Sequence, residues 1–189
     1  MAHIEQIDFV LLVKNKLPTY FKNSKVLGIG TFNVCGTEKT FFDECDFLGL
    51  DIGPGDGVDI ICPAQDYDAP DNSFDTIISC ECFEHNPFYK ETIQNAVRML
   101  KPNGLFLFTC ATTGRAVHGT KSSDEINKPK HKKWITMPNV FVQGWDNEYY
   151  KNLTENDIRD SINIDKFFKT YEFSVNEHHH DLYFWGLKK

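Results

Sequence analysis

Two groups of residues in this chain have types and spacings that could do chemistry. The first is Lys25-Val-Leu-Gly-Ile-Gly-Thr-Phe-Asn-Val-Cys-Gly-Thr37, followed by a second apolar run that ends on Asp51. It reads as a strand, a glycine turn, a helix start, a second strand and a carboxylate. Glycines let the backbone approach a ligand, and a helix start offers free N–H groups. A carboxylate at the tip of the next strand can accept two hydrogen bonds from a ribose diol. The order therefore builds a nucleoside pocket. The second group lies further along: Ser79-Cys-Glu81 and, after another apolar run, Arg115 and His118, while Glu84-His85 between them reads as structural, His85 as a hydrogen-bonding residue at a helix start.

The elements that must position these groups follow from periodicity. Residues 4–22 carry Ile4, Ile7, Phe9, Val10, Leu11, Val13 and Leu17 among polar residues, which predicts a lid helix stopped near Pro18 or restarted after it. Lys25–Gly30 is a first buried strand, 36–45 a short helix with Phe41 and Phe42 facing inward, and Phe47–Asp51 a second strand. Gly53-Pro-Gly-Asp-Gly57 cannot continue a helix, yet Val58–Cys62 looks like the next strand. Parallel strands need a crossover of about a dozen residues. Either the crossover helix is reduced to a loop here, or the pairing differs. Ser73–Cys80 is a fourth strand, buried on both faces. Pro87–Lys101 is a helix with Ile93, Ala96, Val97 and Leu100 at helical spacing, ended by Lys101-Pro-Asn-Gly104. Leu105–Cys110 is a fifth strand. A helix starts at Thr154, its N-cap, with Asp157 in the capping-box position. Tyr171–Glu177 and Asp181–Leu187 form a closing antiparallel hairpin. Alternating strands and helices give an α/β sandwich.

Bulk properties agree with one domain of 189 residues. A mean hydropathy of −0.41 and no long apolar run exclude a membrane-spanning helix. Acids among the first eight residues, where a signal peptide needs a basic start, predict a cytoplasmic protein. The six cysteines (35, 45, 62, 80, 82 and 110) fall mostly in apolar runs, so buried reduced thiols are expected rather than disulfides. Cys80 and Cys82 have no second pair at metal spacing, and no metal site is expected. His178-His-His180 is read as a solvated hairpin turn. A net charge of −7 argues against a nucleic-acid backbone as partner.

Taken together, Val26–Gly30, Gly49-Leu-Asp51, Ala64-Gln-Asp66, Asp71–Asp75, Phe83-Glu-His85 and Arg98–Gly104 resemble the class I S-adenosylmethionine-dependent methyltransferases of the type 11 group. The resemblance covers most of residues 25–111. It implies a Rossmann-like sandwich around a mostly parallel seven-stranded sheet with an antiparallel C-terminal hairpin. It also implies S-adenosylmethionine as cofactor. On this resemblance Gly28, Gly30, Thr31, Phe32 and Gly36 shape the turn around the methionine part, and Asp51 with Ile52 holds the ribose. Ala64, Gln65 and Asp66 border the adenine, and Ser79, Cys80 and Glu81 face the sulfonium. Residues 1–22 become a lid, 23–111 the cofactor core, 112–152 an acceptor-side insertion, and 153–189 a closing helix and hairpin. One departure matters: the family has an acid where this chain has Gly28. Glu81 or Glu38 could replace its charge near the cofactor ammonium, and Glu81 is the choice made here.

The acceptor, a small molecule or glycan precursor methylated on O or N, would lie at the C-terminal strand ends. There, His118 is the candidate base. Arg115 and Lys130–Lys133 could meet an acceptor phosphate or carboxylate, and Trp134, Trp145, Tyr149 and Tyr150 could stack on it. Two other functions remain open: a cofactor-binding partner or regulatory protein without catalysis, and a nicotinamide-dependent oxidoreductase. The latter is disfavoured because Asn33 stands where G-x-G-x-x-G needs its third glycine.

Overall fold

Apolar residues on both sides of the central strands require a sheet covered on both faces, and the computed structural model has one. It describes residues 4–34, 36–123, 146 and 148–189. The strands are β1 (Lys25–Ile29), β2 (Asp46–Asp51), β3 (Ile60–Ile61), β4 (Phe74–Cys80), β5 (Leu100–Ala111), β6 (Phe168–Asn176) and β7 (Asp181–Lys188). The helices are α1 (Ile4–Lys16), α2 (Tyr89–Met99), α3 (Glu155–Ser161) and α4 (Ile164–Phe167). The sheet order is β3-β2-β1-β4-β5-β7-β6. All neighbours from β3 to β5 pair in parallel, and β7 runs antiparallel to both β5 and β6.

Alternation divides the core. Leu27, Ile29, Ile77, Phe106 and Phe108 point to the face covered by α2 (Ile93, Ala96, Val97) and α3 (Ile158). Val26, Ile78, Leu105 and Leu107 point to the face covered by Phe9, Val10 and Val13 of α1 and by Phe21. The helix expected as a lid, α1, thus ends at Lys16, and a single 3-10 turn, Pro18–Phe21, follows it.

The expected helix at 36–45 is instead one 3-10 turn, Glu38–Phe41. Thr37 caps it, its hydroxyl accepting from the Lys39 amide at 3.3 Å. Phe41 is buried as expected, while Phe42 is half-buried, stacked on Phe21 with centroids 4.9 Å apart. The third strand shrinks to Ile60–Ile61, and residues 52–59 form the loop that replaces its crossover helix. Lys101–Gly104 lies within β5 as a bulge: Leu100 pairs with Phe74 and Leu105 with Thr76. Thr154 and Asp157 form the expected capping box, and α4 is an element that the sequence reading did not anticipate. Cys45, Cys62, Cys80, Cys82 and Cys110 are free thiols, and Cys35 lies outside the described residues. Among the described residues no helix is long and apolar enough to cross a membrane.

Candidate active site

Strand order reverses between β1 and β4, so a crevice opens at their C-terminal ends. Gly30 ends β1 with φ +75°, and a Cβ there would lie 2.6 Å from the Cys82 Sγ. The turn is therefore closed to any side chain by the loop after β4. Asp51 stands at the tip of β2. Its Oδ2 accepts from the Phe32 amide at 3.0 Å and its Oδ1 from the Ile52 amide at 2.7 Å. Burial raises the Asp51 carboxyl, and the Phe32, Ile52 and Gly53 amides pull it back.

The loop that replaces the missing helix folds over this turn. The Thr31 hydroxyl donates to the Gly57 carbonyl at 2.9 Å. Asn33 Nδ2 donates to Asp56 at 2.7 Å, and Asn33 Oδ1 accepts from the Gly36 amide at 2.9 Å. A Cβ on Gly55 would strike the Phe32 ring at 2.2 Å, so the edge of that ring lies against bare backbone. Gly30, Thr31, Phe32, Gly36, Asp51 and Ile52 are thus gathered around one turn. Ala64 is buried, its carbonyl accepting from Asn95, whereas Asp66 is exposed and Gln65 reaches it at 3.5 Å. Ser79 is spent on the fold: its hydroxyl donates to the Ile29 carbonyl at 3.0 Å, tying β4 to β1. Cys80 points to the opposite face, and burial raises its thiol well above the ordinary range.

Gly28 has a packing reason. A Cβ there would come within 2.5 Å of Thr31 Cγ2 and 2.7 Å of Phe47 Cζ. Phe47 occupies the room that an acidic side chain would need. Restoring the acid with Gly28→Asp is expected to cost about 1–3 kcal/mol of stability, as overpacking does, with no gain in cofactor affinity. Denaturant unfolding checks the first part, and a variant as stable as wild type with tighter binding would refute both.

Beside this turn lies a second cluster, around the loops after β4 and β5. Glu81 has φ +54° and a buried carboxyl. Its Oε1 accepts from the Thr109 hydroxyl at 3.2 Å, Gln6 of α1 also bonds it, and Oε2 lies 4.0 Å from Arg115. Burial, then the charge of Asp181, lift it to about 7. Arg115, which the sequence reading offered to an acceptor phosphate or carboxylate, is engaged by the protein itself. It donates to the His179 carbonyl at 2.7 Å and to Asp181 at 3.2 Å, because two buried carboxylates require its charge. The histidine turn is likewise not simply solvated, since His179 Nε2 meets Glu5 of α1 at 2.9 Å.

Glu81 makes stability depend on pH. Its ordinary value is 4.5, so between pH 4.5 and about 7 the folded state keeps a proton that the unfolded state has lost. That contribution is complete below pH 4.5 and disappears as pH rises through 7. Relative to wild type, Glu81→Gln should therefore be more stable at pH 8 than at pH 5. Melting temperatures of both proteins at the two pH values measure this, and a constant difference would reject it.

Glu84 and His85 follow in a 3-10 turn, Phe83–His85. Glu84 is 0% exposed, and neither of its oxygens makes a hydrogen bond; the Glu84 and Ala111 amides face it without reaching bonding geometry. Burial pushes its carboxyl well up, and burial holds His85 neutral with a value near 3. The sequence reading treated this pair as structural and gave Glu84 no role. His118 lies against them, its Nδ1 3.0 Å from the Ala116 carbonyl and its Nε2 4.0 Å from Glu84 Oε1. The Tyr150 ring packs on both histidines, at 5.4 and 5.1 Å. Lys130–Lys133, Trp134 and Trp145 lie outside the described residues.

Residues 52–108 match the family model for a methyltransferase domain. No curated protein matches the sequence. Several solved structures share the fold. One is a Burkholderia thailandensis 1,6-didemethyltoxoflavin-N1-methyltransferase with bound S-adenosylhomocysteine (TM-score 0.61, 15% identity, 95% of this chain and 76% of that one). Another is a Haemonchus contortus phosphoethanolamine N-methyltransferase 2 with S-adenosylmethionine (0.61, 15%, 95% of this chain but 51% of that one). The Bacillus subtilis YcgJ protein is similar over nearly its whole length (0.60, 13%, 97% and 99%). Sheet order and matched segment agree on the fold, that of the class I S-adenosylmethionine-dependent methyltransferase structures.

Proposed function

We propose that this chain transfers a methyl group from S-adenosylmethionine to an O or N atom of a small molecule or glycan precursor, in a cytoplasmic setting. The observation that carries this is Asp51. It is a carboxylate at the tip of β2, oriented by the Phe32 amide beside Gly30, at the switch point of the sheet. The bound cofactor supplies an electrophilic methyl carbon on a sulfonium. The protein's share is alignment and proton handling. Asp51 accepts from the ribose hydroxyls, and the Phe32 ring and Ile52 flank the nucleoside. Ala64, Gln65 and Asp66 lie toward the adenine, and Gly28, Gly30, Thr31 and Gly36 give the methionine part its backbone.

Glu81 stands in for the acid missing at Gly28, gaining its charge as pH rises through about 7; Glu38, near Cys80 and Asp51, is the other buried carboxyl there. With the cofactor held there, its sulfonium would act as the leaving group, keeping the C–S electron pair as the acceptor lone pair bonds to the methyl carbon. A hydroxyl or protonated amine acceptor must also release a proton. With Nδ1–H donated to Ala116, His118 presents its Nε2 lone pair to take it. Both named neighbours that carry an activity in their titles are N-methyltransferases of small molecules, which supports an acceptor of that kind.

The packed Gly28 favours a second reading, a cofactor-binding protein without turnover. Release of S-adenosylhomocysteine against a panel of amines, phenols and sugar nucleotides separates the two. Turnover on any acceptor supports transfer. Tight cofactor binding with no turnover across the panel supports the binding protein.

A further inference from the structure

We propose that Glu84, His85 and His118 form a site for one divalent transition-metal cation, of the zinc type, at the acceptor end of the sheet. The sequence reading expects no metal, because Cys80 and Cys82 have no second pair at metal spacing, and Glu84-His85 and His118 are far apart in the chain. The fold brings them together. One ligand atom from each lies within 4.8 Å of the other two. Glu84 Oε1 is 3.9 Å from His85 Nε2 and 4.0 Å from His118 Nε2. Metal–ligand bonds of about 2.0–2.2 Å set tetrahedral ligand atoms roughly 3.3–3.5 Å apart, so small side-chain rotations close the site.

Three further observations point to a cation. Glu84 is fully buried and both its oxygens lack a hydrogen-bond partner, a condition that folded proteins rarely tolerate. His118 directs Nδ1 at a backbone carbonyl, the outer contact that fixes a metal-ligating imidazole with its Nε2 lone pair forward. Two carboxyls, Glu81 and Asp181, act on Glu84 from nearby, against the single guanidinium of Arg115. Two imidazoles and one carboxylate suit zinc and its neighbours better than calcium or magnesium, which prefer all-oxygen sets. Three protein ligands leave a fourth position open. The Tyr150 ring and the backbone of Gly119, where a Cβ would meet the His85 ring at 2.6 Å, form the walls.

Ligation and proton acceptance use the same His118 Nε2. The base role therefore belongs to the metal-free protein, and the metal-loaded protein holds His118 as a ligand. Chelator-treated full-length protein titrated with Co2+ and followed by visible absorption tests the site without any acceptor. The expected result is saturation at one equivalent, with a spectrum of low-symmetry nitrogen and oxygen coordination and displacement by Zn2+. His118→Ala, at a partly exposed position, should weaken binding at least about tenfold with unchanged circular dichroism, and Glu84→Gln should do the same. The double variant His178→Gln/His180→Gln should leave it unchanged. No stoichiometric binding, thiolate charge-transfer bands, or affinity indifferent to His118→Ala would each overturn the proposal. Turnover plays no part in this readout, so failure here is distinct from failure of the transfer reaction.

Discussion

Asp51→Ala is expected to weaken S-adenosylhomocysteine binding by about 30- to 150-fold, equivalent to about 2–3 kcal/mol for two charge-assisted hydrogen bonds to a ribose diol. The carboxylate is already aimed, because the Phe32 and Ile52 amides fix one oxygen each while leaving each a further acceptor site. Asp51→Asn separates the two roles. It keeps an oxygen for the Phe32 amide but loses the charge and one acceptor, so its affinity should fall between wild type and Asp51→Ala. Calorimetry on folded variants measures the series. Equal affinity for wild type and Asp51→Ala would remove the ribose from this site.

His118→Ala should lower kcat by about 100-fold or more with the true acceptor while cofactor affinity stays nearly constant. The reason is position: the side chain is partly exposed on the acceptor side of the buried Glu84, and the Ala116 carbonyl holds its tautomer. His118→Gln keeps much of the shape and some hydrogen bonding but offers no basic nitrogen. If that variant retained most of the activity, positioning alone would account for the rate and His118 would serve to hold its loop.

How much of this was legible in the sequence depended on whether the signal was local. Periodicity located α1 and α2, because a helix facing a sheet must repeat its apolar residues every three or four positions. Turn chemistry located the capping box at Thr154 and Asp157. The 3-10 turn at Glu38–Phe41 was mistaken for a helix because Phe41 and the following Phe42 fit either period. The glycines of 53–57 did announce the loop between β2 and β3, since no crossover helix could hold them.

At the site, Gly30 and Asp51 could be found because they lie at strand ends in a fixed order. The reason for Gly28 could not, because Phe47, which excludes a side chain there, is nineteen positions away. The Arg115 partner Asp181 could not be read either, because it lies on the last strand, sixty-six positions away. Glu84 carried no sequence signal at all; only burial without a partner singles it out.

The account stands or falls on the cofactor. Calorimetric titration of the intact protein with S-adenosylhomocysteine, with NAD in parallel, tests it most directly. One site of micromolar or tighter affinity for S-adenosylhomocysteine, lost in Asp51→Ala, and no heat from NAD is the predicted result. Binding of NAD at that site, or no binding of S-adenosylhomocysteine by the folded protein, would contradict it.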